Sequence, residues 1–167
     1  MSALESSGER LKLSVVVLNW NGRHHLAICL PALQAQTRPA DEIIVVDNCS
    51  TRDDSVSYLQ KHHPEVRIVQ LSENRGFAGG NNAGVDLAAG EIVLLNNDTR
   101  PAPDWLERLE HCAMQHPEAG VIACHLTDWS GERTDSAGDG CRVTGRGYAR
   151  NRGGPASAAP ESGPVFG

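Results

Sequence analysis

The chain has 167 residues, a formal net charge of −6 and few aromatic residues. Its acidic balance argues against a nucleic-acid partner, because nonspecific binding to nucleic acid depends on lysine and arginine neutralising phosphates. Its five cysteines are odd in number and include no Cys-x-x-Cys pair, which favours free thiols in a reducing compartment over a disulfide framework. We therefore expect a cytoplasmic protein, with the inner face of the membrane as an alternative location.

Apolar runs and helical segments alternate along the chain. Strands are predicted at 13–18, 42–46, 66–71, 91–95 and 121–124. Helices are predicted near 23–36, 53–62 and 103–115, and another follows a glycine-rich loop over 72–84 and ends at Gly90. Pro31 lies inside the first helix and predicts a kink or an early second segment. Strands that alternate with helices indicate an α/β fold with a mostly parallel sheet and helices on both faces.

The sequence predicts three regions along the chain. Residues 1–12 are polar and are expected to form a flexible leader, and residues 13–127 carry the alternating elements of the folded domain. Residues 128–167 are rich in Gly, Arg and Pro and are expected to be irregular. Because a new apolar element starts near 165–166, we expect the chain to be the front part of a larger unit.

A basic run is found at Arg142, Arg146, Arg150 and Arg152, for which a solvated loop is favoured over contact with lipid phosphates or an anionic acceptor.

Polar residues follow three of the predicted strands at the point where each strand ends. They are Asn19-Trp20-Asn21, Asp47-Asn48 and Asn96-Asn97-Asp98. Because the carboxyl ends of parallel strands share one edge of a sheet, these clusters should meet in one crevice. Trp20 offers a flat face on which a base can stack, and the Asp98 carboxylate suits a divalent cation that also binds substrate phosphates.

Simpler interpretations compete with this one. Asn96 to Thr99 can form a turn before the next helix, and Asp47 can cap the helix after its strand, as can Ser50 or Thr51. The glycine-rich stretch has backbone N–H groups suited to phosphate, but it matches neither G-x-G-x-x-G nor the phosphate-binding loop that ends in Gly-Lys-Ser/Thr. Three further groups have simple explanations: the pairs His24-His25 and His62-His63 suit solvated helix faces, and Cys112, Cys124 and His125 lack the spacing of a zinc site.

Four segments together resemble the ordered motifs of family 2 glycosyltransferases of the GT-A fold, with the rhamnosyltransferase-like branch as the nearest match. They are residues 14–21, 47–51, 74–84 and 94–99, and the resemblance covers about residues 13–125. It implies inverting transfer of a sugar from a nucleoside diphosphate donor to a glycan or lipid-linked acceptor, assisted by Mg or Mn. Cell-surface polysaccharide synthesis and peripheral membrane contact are implied in the same way.

The resemblance also assigns site residues. Leu18 to Trp20 and Asp47-Asn48 would hold the base and ribose, and Asp98 would bind the metal in the segment where the family carries its Asp-x-Asp signature. The full set of expected nucleotide-sugar contacts is Leu18, Asn19, Trp20, Asn21, Asp47, Asn48, Asn74, Gly76, Asn82, Asn96 and Asn97.

Two features depart from the family pattern. The first Asp of the signature is replaced by Asn96, which removes one charge from the metal site. The family places its catalytic base after the donor-binding half, and no residue here matches it, so the base is unassigned. A non-catalytic nucleotide-sugar-binding module or an inactive fragment is therefore the alternative to an enzyme. A receiver-like regulatory domain is disfavoured because the strand ends lack a clustered acidic pair.

Overall fold

A computed structural model describes residues 10–141 and 146–158 of the chain. The helices and strands are β1 (Leu13–Asn19), α1 (Arg23–Gln34), β2 (Glu42–Asp47), α2 (Ser55–His62), β3 (Arg67–Gln70), α3 (Gly76–Val85), β4 (Glu91–Asn96), α4 (Trp105–Gln115), β5 (His125–Thr127), β6 (Thr134–Ala137), β7 (Asp139–Cys141) and β8 (Gly147–Ala149). The chain divides between Glu110 and His111 into two compact units. In the described residues, no helix is both long and apolar enough to cross a membrane.

The first unit is built on a four-stranded parallel sheet in the order β3-β2-β1-β4. β1 is central and almost wholly buried, which explains its apolar run from Val15 to Leu18. Val15 and Val17 point to one face, where Leu26 and Leu30 of α1 pack. Val16 points to the other face, which α3 covers. The prediction of a mostly parallel sheet with helices on both faces is confirmed.

The glycine-rich stretch was predicted as a loop, and this prediction is wrong for most of its length. Residues Gly76–Val85 form α3, and their glycines let the helix lie close to the sheet. A Cβ atom on Gly80 would lie 2.4 Å from Leu18 Cδ1, and one on Gly84 would lie 2.4 Å from Val16 Cγ1. Tertiary packing therefore outweighs the low helix propensity of glycine here.

Two other predictions need correction. The segment 121–124 is not a strand, and Val121 is largely exposed; the strand that follows, β5, pairs antiparallel with β6 in a separate sheet. Pro31 does not start a second segment, because α1 continues through it to Gln34, and a kink at Pro31 stays a prediction. Pro31 does lack an N–H, but the carbonyl that it leaves unpaired belongs to Ala27, which lies on the exposed side of the helix.

The second unit begins at His111 and contains two small antiparallel sheets, β5-β6 and β7-β8. Because they contain β6, β7 and β8, residues 128–141 and 146–158 are less irregular than predicted. Of the basic run, Arg142 lies outside the described residues, and Arg152 forms an ion pair of 3.4 Å with Asp135. The predicted leader lies outside the described residues as far as residue 9.

Candidate functional site

A pocket opens at the carboxyl ends of β1, β2 and β4, wholly within the first unit. The parallel register brings these ends together, since Asn19 lies beside Asp47 and Leu18 lies beside Asn96. The pocket is lined by Leu18, Trp20, Asn21, His24, His25, Asn48, Asn74, Gly76, Phe77, Asn96, Asn97 and Asp98. The three polar strand ends thus meet at one edge of the sheet, as open parallel sheets place their ligand sites.

Most of the predicted site residues line this pocket, but three do not. Asn19 and Asp47 are 0% and 2% exposed and lie in the interior. Asn82 is exposed on α3 and is not part of the pocket lining. Direct contact of these three residues with a ligand stays a prediction, and the two buried residues form side-chain hydrogen bonds with each other.

The turn after β1 is tied to the turn after β2 through Asn21. Asn21 has a positive φ of 52°, a conformation that asparagine tolerates better than most residues. Its Oδ1 accepts hydrogen bonds from the backbone N–H groups of Thr51 (2.9 Å) and Arg52 (2.8 Å). In return, Ser50 Oγ accepts the Asn21 N–H at 2.8 Å. Neither Ser50 nor Thr51 caps α2, which starts only at Ser55, so that prediction is wrong; these residues hold the two turns together instead.

The Asn48 side chain connects the end of β2 to the segment before α3 by three hydrogen bonds. Its Nδ2 donates to Asn74 Oδ1 at 3.0 Å and to the Gly76 carbonyl at 3.1 Å, and its Oδ1 accepts the Arg75 N–H at 2.9 Å. The side chain is 3% exposed, so few water molecules can replace these partners. Gly76 adopts a φ of +69°, which glycine accepts without strain. One buried amide thus fixes the wall of the pocket where α3 begins.

We expect the substitution Asn48→Ala to loosen this wall. The change removes three hydrogen bonds and leaves the Arg75 N–H without its acceptor, at a cost of about 1–3 kcal/mol in the free energy of unfolding. Hydrogen–deuterium exchange of the Arg75 and Gly76 amides should become at least about tenfold faster, while exchange in β1 changes little. Ser72→Ala, an exposed change in the same segment, is the control. Equal exchange in the parent chain and Asn48→Ala would show that the loop is held by other contacts.

Two exposed aromatic rings border the pocket. Trp20 is 53% exposed and Phe77 is 65% exposed, although both are large apolar side chains. Sequence reasoning singled out Trp20 but missed Phe77, and it assigned His24 and His25 to a solvated helix face although both line the pocket. A signal was available, because these histidines occupy the first turn of the helix that follows the β1 strand end.

Hydrogen bonds to the Asn96 carbonyl hold the turn after β4, and the Asp98 carboxylate on this turn is exposed. The Asn96 carbonyl accepts hydrogen bonds from Thr99 Oγ1 at 2.7 Å and from the Cys29 thiol at 3.9 Å. Burial raises the pKa of Cys29 to about 11, so this group stays a neutral thiol donor at physiological pH. In the described part of the chain, the exposed Asp98 carboxylate has neither a hydrogen bond nor an ion pair.

The residues around Asp98 fit a divalent cation of the oxygen-binding kind. Within residues 10–141 and 146–158, no three His, Cys, Asp or Glu side chains converge as a metal-binding group. A cation here would therefore take one carboxylate from the protein and complete its shell with amide oxygens, water and ligand phosphates. Mg²⁺ sites that combine one or two carboxylates with substrate phosphates have this composition.

The fold and the pocket define a parallel α/β domain with its ligand site at the carboxyl ends of the strands. The model of the family described as "Glycosyl transferase family 2" matches residues 14–155. The chain therefore belongs to glycosyltransferase family 2.

Curated relatives agree with this assignment. An uncharacterized glycosyltransferase of Nostoc sp. is 31% identical over 115 residues, which are 67% of this chain and 36% of the relative. The succinoglycan biosynthesis protein ExoO of Rhizobium meliloti is 32% identical over 98 residues, 58% of this chain and 28% of ExoO. The chain spans about a third of the length of the curated relatives it matches.

Solved structures show the same GT-A fold. S. aureus TarS aligns with a TM-score of 0.57 and 26% identity, covering 64% of this chain and 20% of TarS. The mannosyltransferase of Pyrobaculum calidifontis, solved with GDP-Man and Mn²⁺, aligns with a TM-score of 0.51 and 29% identity, covering 59% of this chain and 33% of that enzyme.

Proposed function

We propose that this chain is the nucleotide-sugar-binding part of an inverting glycosyltransferase. The observation that carries the proposal is the pocket itself. It combines an exposed tryptophan, a wall of amides and glycine, and an exposed carboxylate at one edge of a parallel sheet. The tryptophan offers a stacking surface for a base, and the amides and glycine offer hydrogen bonds to a ribose. The carboxylate offers a ligand to a cation that also binds the diphosphate.

Each side of the pocket has a proposed role. Leu18 and Trp20 bind the base by apolar contact, and Asn48 supports the segment from Asn74 to Gly76 that faces the ribose. Asp98 holds Mg²⁺ or Mn²⁺ together with the diphosphate. When bound, the cation would neutralise negative charge that develops on the departing diphosphate. The Mn²⁺ complex of the mannosyltransferase supports a divalent cation but does not distinguish Mg from Mn.

The proposal extends to the donor sugar and the acceptor. The motif resemblance favours a rhamnosyl donor, and the likeness to ExoO favours a glycan or lipid-linked acceptor in polysaccharide synthesis. We assign no base, and we propose that residues 128–167 begin the acceptor region. The acceptor hydroxyl would attack the anomeric carbon opposite the departing diphosphate and lose its proton to a carboxylate base.

A non-catalytic nucleotide-sugar-binding module is the second candidate, because Asn96 replaces an acidic residue of the signature. One less charge next to Asp98 weakens cation binding without closing the pocket. Slow hydrolysis of a nucleotide sugar by the chain, abolished in Asp98→Ala, would favour the enzyme over the binding module.

Calorimetric titration of the whole chain tests donor binding. UDP, GDP and dTDP are each titrated with Mn²⁺, with Mg²⁺ and with EDTA. We expect binding of at least one diphosphate that tightens at least about tenfold with a cation, because the cation offsets repulsion between phosphate and Asp98. Trp20→Ala should weaken binding with or without metal, and the exposed Ser72→Ala should not. Absence of binding by every diphosphate would overturn the proposal.

A further inference from the structure

Three polar side chains form a line of hydrogen bonds beneath the pocket, from the end of β2 through β1 to β4. Asp47 Oδ1 accepts from Asn19 Nδ2 at 3.2 Å, and Asn19 Oδ1 accepts from Asn97 Nδ2 at 2.9 Å. The other carboxylate oxygen of Asp47, Oδ2, accepts the Ser50 N–H at 3.0 Å. Asp47 and Asn19 are buried, and Asn97 lines the pocket. The relay, defined as Asp47-Asn19-Asn97, thus joins the interior to the pocket surface.

The Asp47 carboxylate determines which atom of each amide in the relay donates a hydrogen bond and which atom accepts one. A carboxylate has only acceptor oxygens, so Asn19 must turn its NH₂ group towards Asp47 and its oxygen towards Asn97. Asn97 must then donate its own NH₂ group to Asn19. An amide that turns its nitrogen inward turns its oxygen the other way, and within the described residues the Asn97 oxygen accepts no hydrogen bond.

A glycine leaves room for the relay. A Cβ atom on Gly22 would lie 2.4 Å from Asn97 Nδ2 and 2.7 Å from Asn19 Oδ1, the two atoms of the outer hydrogen bond. Both distances are shorter than non-bonded contacts allow, so any larger residue at position 22 would displace this bond. The backbone of the β1–α1 turn is therefore shaped around the Asn19–Asn97 contact.

We propose that Asp47, acting through Asn19, orients Asn97 so that its amide oxygen faces the pocket as a neutral ligand for the cation held by Asp98. Asp47 and Asn19 are then positioning residues rather than donor contacts. The relay supplies an oxygen close in sequence to Asp98 without adding a charge, in a site where Asn96 has already removed one. This inference rests on the proposed donor site for the identity of the cation, but the orientation of Asn97 does not depend on it.

The substitution Asp47→Asn should reverse the relay. Its side-chain oxygen stays with the Ser50 N–H, so the new NH₂ group faces Asn19 and turns that amide over. Ser50 Oγ, which accepts from Asn19 Nδ2 at 3.3 Å in the parent, then donates its own proton to the Asn19 oxygen. Asn97 must then turn as well and present NH₂ to the pocket. Changes to groups that orient metal ligands typically weaken metal affinity about 10- to 100-fold, and we expect a loss in that range. The double variant Asn19→Asp/Asp47→Asn keeps the number of acidic groups and restores the original direction, because the new carboxylate accepts from both neighbours.

Two measurements test the inference. The first is hydrogen exchange of the Asn97 side-chain NH₂ by NMR without metal or nucleotide, with the signal assigned by its loss in Asn97→Ala. Exchange should be slow in the parent and the double variant and at least about tenfold faster in Asp47→Asn. The second is Mn²⁺ affinity in the presence of UDP, which should fall in Asp47→Asn and in Asn97→Ala and recover in the double variant.

The outcomes separate this inference from the proposed function. If the parent chain binds no nucleotide, the donor site is wrong, but the NMR measurement still decides the orientation of Asn97. Slow exchange of the Asn97 NH₂ in Asp47→Asn, or full Mn²⁺ affinity in Asn97→Ala, would overturn the inference. If Asp47→Asn does not fold, the comparison of the double variant with Asn97→Ala provides the same decision, since only the double variant should bind Mn²⁺ like the parent.

Discussion

Replacing Asp98 by asparagine is expected to remove the metal-dependent part of diphosphate binding. The change keeps the shape of the side chain but deletes the only carboxylate among the residues that line the pocket. Loss of one partner from a charge pair within a binding site typically costs about 2–5 kcal/mol, which corresponds to a weakening of roughly 30-fold or more. Calorimetry with UDP and Mn²⁺ should show this loss, whereas in EDTA UDP should bind the variant at least as tightly as it binds the parent, because the carboxylate that repels the phosphates is gone.

The control for this prediction is folding stability. Asp98 is exposed and unpaired within the described residues, so the free energy of unfolding should change by less than about 0.5 kcal/mol. Asn96→Asp is the opposite change, and it should strengthen Mn²⁺ binding by adding the second charge that the family signature carries. Equal Mn²⁺ affinity in Asp98→Asn and the parent would remove Asp98 from the site.

Replacing Arg38 by methionine is expected to destabilise the first unit more than any surface change. Arg38 is 7% exposed and bonds Glu110 through Nε and Nη2, both at 3.1 Å, and Asp41 through Nη1 at 2.9 Å. It also donates to the backbone carbonyl of Leu11. Removing one partner of a buried ion pair costs about 3–5 kcal/mol, and we expect a loss near the lower end because Asp41 keeps its ion pair with Arg10 and Glu110 keeps its hydrogen bond from the Leu11 N–H. Urea denaturation should show this loss, and Arg67→Met, which breaks an exposed ion pair with Glu42, should cost less than about 1 kcal/mol.

The pH dependence of stability distinguishes an ionic effect from a packing effect at Arg38. The hydrogen bonds from Arg38 lower the pKa of Glu110 despite an opposing effect of burial. Burial alone would raise the pKa of Asp41, but hydrogen bonds from the Leu13 N–H and Arg38 lower it overall. Carboxyl groups with a lowered pKa stabilise the fold above their unfolded pKa values of about 4, and this stabilisation is lost as the pH falls through the folded values. The parent should therefore lose more stability than Arg38→Met between pH 5 and pH 3, and equal losses would point to packing alone.

The sequence predicted the sheet well because its central strands are buried on both faces. Val15 to Leu18 and Ile43 to Val46 form unbroken apolar runs, a pattern that few other structures produce. The positions of Trp20, Asn48 and Asp98 in one pocket followed from the rule that parallel strands end at a common edge. These predictions needed only local patterns and one rule of topology.

The predictions that failed depended on contacts between distant residues. The glycines of α3 looked like a loop because their helix propensity is low, and only the approach of Gly80 to Leu18 and Gly84 to Val16 explains the helix. The contact of Asp47 with a ligand stays a prediction, but its local sequence gave no sign that Asp47 is buried and accepts hydrogen bonds from Asn19 and Ser50. No local pattern distinguishes a carboxylate that faces a ligand from one that orients a neighbour.

The most direct test of the account is an NMR titration of the chain with UDP, GDP or dTDP, whichever binds most tightly, in the presence of Mg²⁺. The central claim is that the ends of β1, β2 and β4 form one nucleotide site. It predicts that the backbone amides of Asn21, Gly76 and Asp98 shift together, with one common dissociation constant, while amides at the opposite edge of the sheet stay unchanged. Shifts confined to one of these three turns, or located away from all of them, would contradict the account.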